Sequence, residues 1–138
     1  MTIMIVQGPH AQASSLSREL LGQLKQLALA AGRTVEVCTC VGLREFVARV
    51  RTARPHSTEF MVLAPGTLAQ QSRLHPEAGL GDALGALGMP YVEVQDGESL
   101  PEQANSFEHG PLATVVVNGD ARTSYSIALG IALKRLAA

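Results

Sequence analysis

Aromatic residues are almost missing from this 138-residue chain: they make up 4%, and there is no tryptophan. With 46% hydrophobic residues, the core must be built mainly from Ala, Leu and Val, which suits helices laid on a Val-rich sheet. Charge of one sign is missing too. Eleven Lys and Arg stand against twelve Asp and Glu, for a net charge of −1. A nucleic-acid or membrane-surface role therefore has no electrostatic support. No apolar run approaches the ~18 residues that span a bilayer, and no charged-then-apolar leader precedes the first one. Cysteine is scarce, and Cys38 and Cys40 are too close along one strand to bridge in normal geometry, so the expected setting is reducing and cytoplasmic. Walker-type and dinucleotide glycine patterns are absent, as is a Gly-x-Ser-x-Gly elbow, and no cofactor is expected.

What is present is an alternation. Thr2 to Val6 is an apolar run stopped by Gln7-Gly8-Pro9, as a strand buried on both faces would be. Ser14 or Ser15 can cap a helix on which Leu16, Leu20, Leu24, Leu27 and Ala31 recur at helical spacing, with Gly32 as its stop. Thr34 to Cys38 reads as the second strand. Gly42 opens a helix with Leu43, Phe46, Val47 and Val50 on one face, ended by Pro55. Phe60 to Ala64 is the third strand, closed by Pro65-Gly66. Residues 67–77 are polar and carry Pro76, so a loop with at most one helical turn is expected. A short Gly-weakened helix over Gly79 to Gly88 follows, then a fourth strand at Tyr91 to Val94 and an irregular connection from Gln95 to Phe107. Ala113 to Val117 is the fifth strand, and a last helix carries Tyr125, Ala128, Ile131, Ala132 and Leu136. Strands alternating with helices at crossover spacing predict one α/β domain over residues 1–138. Its architecture should be three-layer and flavodoxin-like, with a five-stranded parallel sheet in the order 2-1-3-4-5 and helices on both faces.

In that order the carboxyl ends of strands one and three meet at the topological switch point, where such sheets bind ligands. The expected ligand pocket therefore contains Gly8, Pro9, His10, Pro65 and Gly66, with Gln95 and Asp96 beyond strand four. Two such turns side by side let backbone N–H groups approach a small anion such as a carboxylate. The plainer alternative is that Gly and Pro merely end two strands. His10 is the one titratable group placed for acid–base work and is the candidate catalytic residue, the alternative being a bystander in a loop. Cys38 and Cys40, even with His10 nearby, lack the spacing and the fourth ligand of a zinc site, so buried thiols and no metal are expected.

Several stretches match a family pattern in order along nearly the whole chain. They are Val6 to Pro9, Leu63 to Gly66, Ser72, Asp82 to Val94 and Gly119 to Leu129, the last being Gly-x-x-x-x-x-Tyr-x-x-Ala-Leu. Together they resemble type II 3-dehydroquinate dehydratases, enzymes of the shikimate pathway. The resemblance implies a flavodoxin-like fold, trimers assembled into a dodecamer, and a site at the carboxyl ends of the strands. It adds Gln70 and Ser72 to the pocket and makes Asp82 a residue that reaches across a trimer contact.

The family's chemistry needs a Tyr base beside an Arg on a loop after Gly-Pro-Asn, Asn side chains that hold an enolate-stabilising water, and a His that protonates the leaving hydroxyl. Here Gly-Pro-His ends at His10, and Ala11 to Ser15 run into the first helix with neither Tyr nor Arg. Ala64 stands where Asn-Pro-Gly should begin, Gln70 where a His is expected, Gln95 in place of the His of Glu-Val-His, and Gly97 in place of a nearby Ser. Each lost group normally contributes on the order of 10²–10⁴ in rate. The expectation is a pseudoenzyme that keeps the fold, self-assembles as a trimer or dodecamer, and binds a small carboxylic acid or anion, with no nucleic-acid or membrane partner. The alternative is an active lyase. Either His10 acts as base with Gln70 or Gln95 orienting the substrate, or a diverged dehydratase takes its missing groups from a neighbouring subunit.

Overall fold

Thr2–Gln7 (β1) enters the middle of a parallel sheet, because its apolar residues are needed on both sides at once. The computed structural model describes residues 2–8, 18–53, 58–64, 66, 68, 71, 74–87, 89–96, 113–117 and 121–137. After β1 come Arg18–Ala30 (α1), Thr34–Thr39 (β2), Leu43–Thr52 (α2) and Thr58–Ala64 (β3). A 3₁₀ turn at Pro76–Ala78 leads into Leu80–Gly85 (α3), followed by Tyr91–Asp96 (β4), Ala113–Val117 (β5) and Ala121–Ala137 (α4). β1 pairs in parallel with β2 on one side and β3 on the other, and β3 pairs with β4. β5 lies parallel to β4 at the far edge. The expected α/β class with a parallel sheet is the class observed.

Two cores sandwich the sheet. Ile3, Ile5, Phe60, Val62, Val92 and Val94 point to the face covered by α1 and α4. Val6, Met61, Leu63 and Tyr91 point to the face covered by α2 and α3. The alternation along each strand sends successive side chains to opposite layers.

Local differences from the sequence reading have physical reasons. On α1 the buried stripe is Leu20, Leu24 and Ala28, at strict four-residue spacing, so the expected Leu27 is left 51% exposed. Within the segment expected to be a loop, Leu68, Gln71 and Leu74 have helical backbone, and the His75 N–H donates to the Gln71 carbonyl at 2.9 Å. The fully buried Leu68 pins that stretch to the second core, which polar composition alone did not reveal. α3 is shorter than Gly79 to Gly88, because Gly79 starts it in the left-handed region (φ 84) and Ala86 caps it. Gln95 and Asp96 do not begin the irregular connection expected after Val94. They extend β4, since Gln95 pairs with Val116 and Asp96 with Val117. The expected cap at Ser14 or Ser15 lies outside the described residues.

Candidate functional site

The chain leaves β1 for the first face, through α1, and leaves β3 for the second, through Leu68 and α3. Their carboxyl ends are neighbours, with Gln7 paired to Ala64, so the switch-point crevice opens between them. Gly8 is buried there and its N–H donates to the Ala64 carbonyl at 2.9 Å. That donor is spent on joining the two strand ends, and an anion in the crevice would need other N–H groups. Gly66 is half-buried with φ 58, a left-handed turn that a side chain would strain. Gln95 and Asp96 are the last two residues of β4, on the crevice side of the sheet. Pro9, His10, Pro65, Gln70 and Ser72 lie outside the described residues. Asp82 is exposed in the first turn of α3, where an acidic side chain suits the helix end.

Sequence reasoning gave Gln7 no role of its own, yet it is the hub of the strand ends. The Tyr125 hydroxyl donates to Gln7 Oε1 at 3.3 Å, and Gln7 Nε2 donates to Thr39 Oγ1 at 3.0 Å. The Cys40 N–H donates to the Gln7 carbonyl at 2.7 Å. One side chain thus ties α4, β1 and β2 together immediately before Gly8. The signal was legible in principle: a Gln closing an otherwise apolar strand, and one Tyr in an Ala- and Leu-rich helix.

Both tyrosines are committed to structure. Burial drives the Tyr125 phenol well above the usual tyrosine range. Burial, and secondarily the Glu93 carboxylate, push Tyr91 up to about 12. Phenols this weak stay protonated near neutral pH, so neither offers a phenolate base. Glu93 itself is 2% exposed, a carboxyl buried in the second core beside Tyr91. Burial, followed by the charges of Glu45 and Cys38, also raises the Cys40 thiol, which behaves as an inert core residue rather than a nucleophile. Both cysteines are free. Among the described residues no group of three His, Cys, Asp or Glu is placed to hold a metal, and no helix is long and apolar enough to cross a membrane.

No family model matches the chain. It is 29% identical over 133 residues to the 3-dehydroquinate dehydratase of Stenotrophomonas maltophilia (strain K279a), covering 94% of this chain and 83% of that protein. It is 27% identical over 152 residues to 3-dehydroquinate dehydratase 1 of Pseudomonas putida, covering 99% and 95%. In fold it is similar to the type II dehydroquinases of Butyrivibrio crossotus (TM-score 0.67, 16% identity, 97% of each chain) and Propionibacterium acnes (TM-score 0.65, 18% identity, 96% of each). A 3-dehydroquinate dehydratase-like protein from Bifidobacterium longum superposes with TM-score 0.62 at 21% identity, over 98% of this chain and 97% of that one. The kinship read from Val6 to Pro9 and Gly119 to Leu129 is therefore supported twice, by sequence relatives named 3-dehydroquinate dehydratase and by a fold shared with type II dehydroquinases.

Proposed function

We infer that this chain is a 3-dehydroquinate dehydratase-like protein without dehydratase activity. In this reading it keeps the three-layer, five-stranded flavodoxin-like frame, a cytoplasmic setting, and a small-anion pocket at the strand ends. The observation that carries the reading is the fate of the two tyrosines. The chain has only Tyr91 and Tyr125, and both are buried, with phenols held protonated. Neither supplies the base that proton removal beside a carbonyl requires. The absent Tyr–Arg loop after His10, and Gln95 where the family's His would stand, point the same way.

Assembly belongs to the same reading. Leu74 is 68% exposed and Asp82 is exposed on the short helix that follows it, a surface suited to a three-fold contact in a trimer or in a dodecamer of trimers. Purified protein should give no turnover of 3-dehydroquinate above background. A rate within roughly a hundredfold of ordinary dehydratases would overturn the reading. Light scattering should give a multiple of 14.5 kDa, and a clean monomer would remove the assembly.

A further inference from the structure

The anion pocket inferred above needs donors, and the Gly8 N–H is already bonded to the Ala64 carbonyl. Two side chains at the same strand ends supply them. Gln7 closes β1 and Thr39 closes β2, and the two are register partners, so their side chains leave the sheet on one face. It is the face covered by α1 and α4, because Ile3 and Ile5 share Gln7's side of β1.

The carboxamide of Gln7 has a fixed orientation. Tyr125 is buried and its O–H needs an acceptor, which Gln7 Oε1 supplies at 3.3 Å. Turning the carboxamide over would set its NH₂ against the phenol oxygen and leave that buried O–H without an acceptor among the described residues. The nitrogen therefore points towards β2, where one N–H donates to Thr39 Oγ1 at 3.0 Å. Gln7 Nε2 carries a second N–H, and Thr39, having accepted that bond, keeps its own O–H to give. Neither side chain has a further hydrogen-bond partner among the described residues. Thr39 is exposed and Gln7 half-buried, so a ligand can reach both.

We propose, resting on the small-anion reading of the crevice, that the second N–H of Gln7 Nε2 and the Thr39 O–H together hold the carboxylate of a small monocarboxylic acid. The two N–H bonds of a carboxamide diverge, so a single oxygen is poorly placed to take both donors, whereas the paired oxygens of a carboxylate take one each. Both donors are uncharged. They suit one negative charge better than the two of a phosphate, whose desolvation calls for guanidinium or ammonium partners.

Titration of the isotope-labelled full chain with lactate, and separately with inorganic phosphate, tests this while the Gln7 side-chain amide resonances are followed. Lactate should shift them saturably at millimolar concentration, and phosphate should bind at least roughly tenfold more weakly. Thr39→Val keeps the shape of the side chain and loses the O–H, and it should weaken lactate by roughly fivefold to tenfold. Thr39→Ser, which keeps the O–H, should bind as the parent chain does. Circular dichroism is the folding control, and should Thr39→Val fail to fold, the Gln7 resonances of the parent chain decide alone. No saturable lactate binding overturns the proposal together with the anion pocket on which it rests. Lactate binding that leaves either the Gln7 resonances or the Thr39→Val affinity unchanged overturns the proposal and leaves the pocket standing. Phosphate bound as tightly as lactate overturns the choice of a monocarboxylate.

Discussion

The two faces of the sheet are covered to different depths. The first carries α1 and α4, of 13 and 17 residues, and its core runs unbroken to the strand ends, where Tyr125 meets Gln7. The second carries α2 and α3, of 10 and 6 residues, with the helical backbone at Leu68, Gln71 and Leu74, and it leaves a cleft between α2 and the 3₁₀ turn. Longer helices seal a face, whereas shorter ones leave exposed polar residues lining a gap. One layer packs up to the strand ends, and the other leaves an open gap at its surface.

The strongest way to break this contrast is to remove equal volumes from both sides. Leu24→Ala, under fully packed α1, should cost about 3–4 kcal/mol in urea unfolding. Leu84→Ala on the short α3 should cost about 2 kcal/mol, because the thinner layer can settle into the space. The reverse order would mean that helix length does not set packing rigidity here.

Alkaline titration probes both layers, since each holds one buried tyrosine. Below about pH 10 the phenol is protonated whether the chain is folded or not. Above that, the unfolded chain releases protons that the folded chain retains, so stability falls as pH rises from about 10 towards the raised value of about 12 for Tyr91. The urea midpoint should drop across that range, and Tyr91→Phe should flatten the slope. A midpoint independent of pH would contradict the burial of both phenols.

A gentler probe is Tyr125→Phe, which keeps the ring and deletes the hydroxyl that holds Gln7. A loss of about 1 kcal/mol is expected, with faster hydrogen exchange at the Cys40 and Gly8 amides that bond around Gln7. Unaltered exchange there would show that Gln7 is held by Thr39 alone. The smallest effect belongs to Glu59→Gln, which breaks the part-exposed pair with Arg33. It should cost below about 1 kcal/mol and lose even that in high salt.

The sheet class and its connections were legible because continuous apolar strands ended by Gly or Pro have few other readings. The stretch from Leu63 to Gly66 illustrates this: the strand was expected to close at Pro65-Gly66, and β3 ends at Ala64, with Gly66 two residues on at φ 58. Leu68 was hidden by the polar residues around it, and only the second core explains its helical backbone. Gln95 and Asp96 read as loop because nothing in their own side chains announces pairing, which comes from Val116 and Val117 of a distant strand. Gln7 and Tyr125 were noticed as parts of two motifs 118 positions apart, and their hydrogen bond is a long-range fact that neither motif contains.

The central position of β1 also governs how the chain reaches this structure. The first strand to be made takes partners that are made later: β2 after one helix, and β3 after a further strand and helix. Loops must therefore be closed at an entropic cost before any sheet hydrogen bond forms, and the aliphatic Ile3, Ile5 and Val6 have no shelter until then. Folding should accordingly be slower than for a helical bundle of the same length, with its barrier set by the docking of β3 against β1.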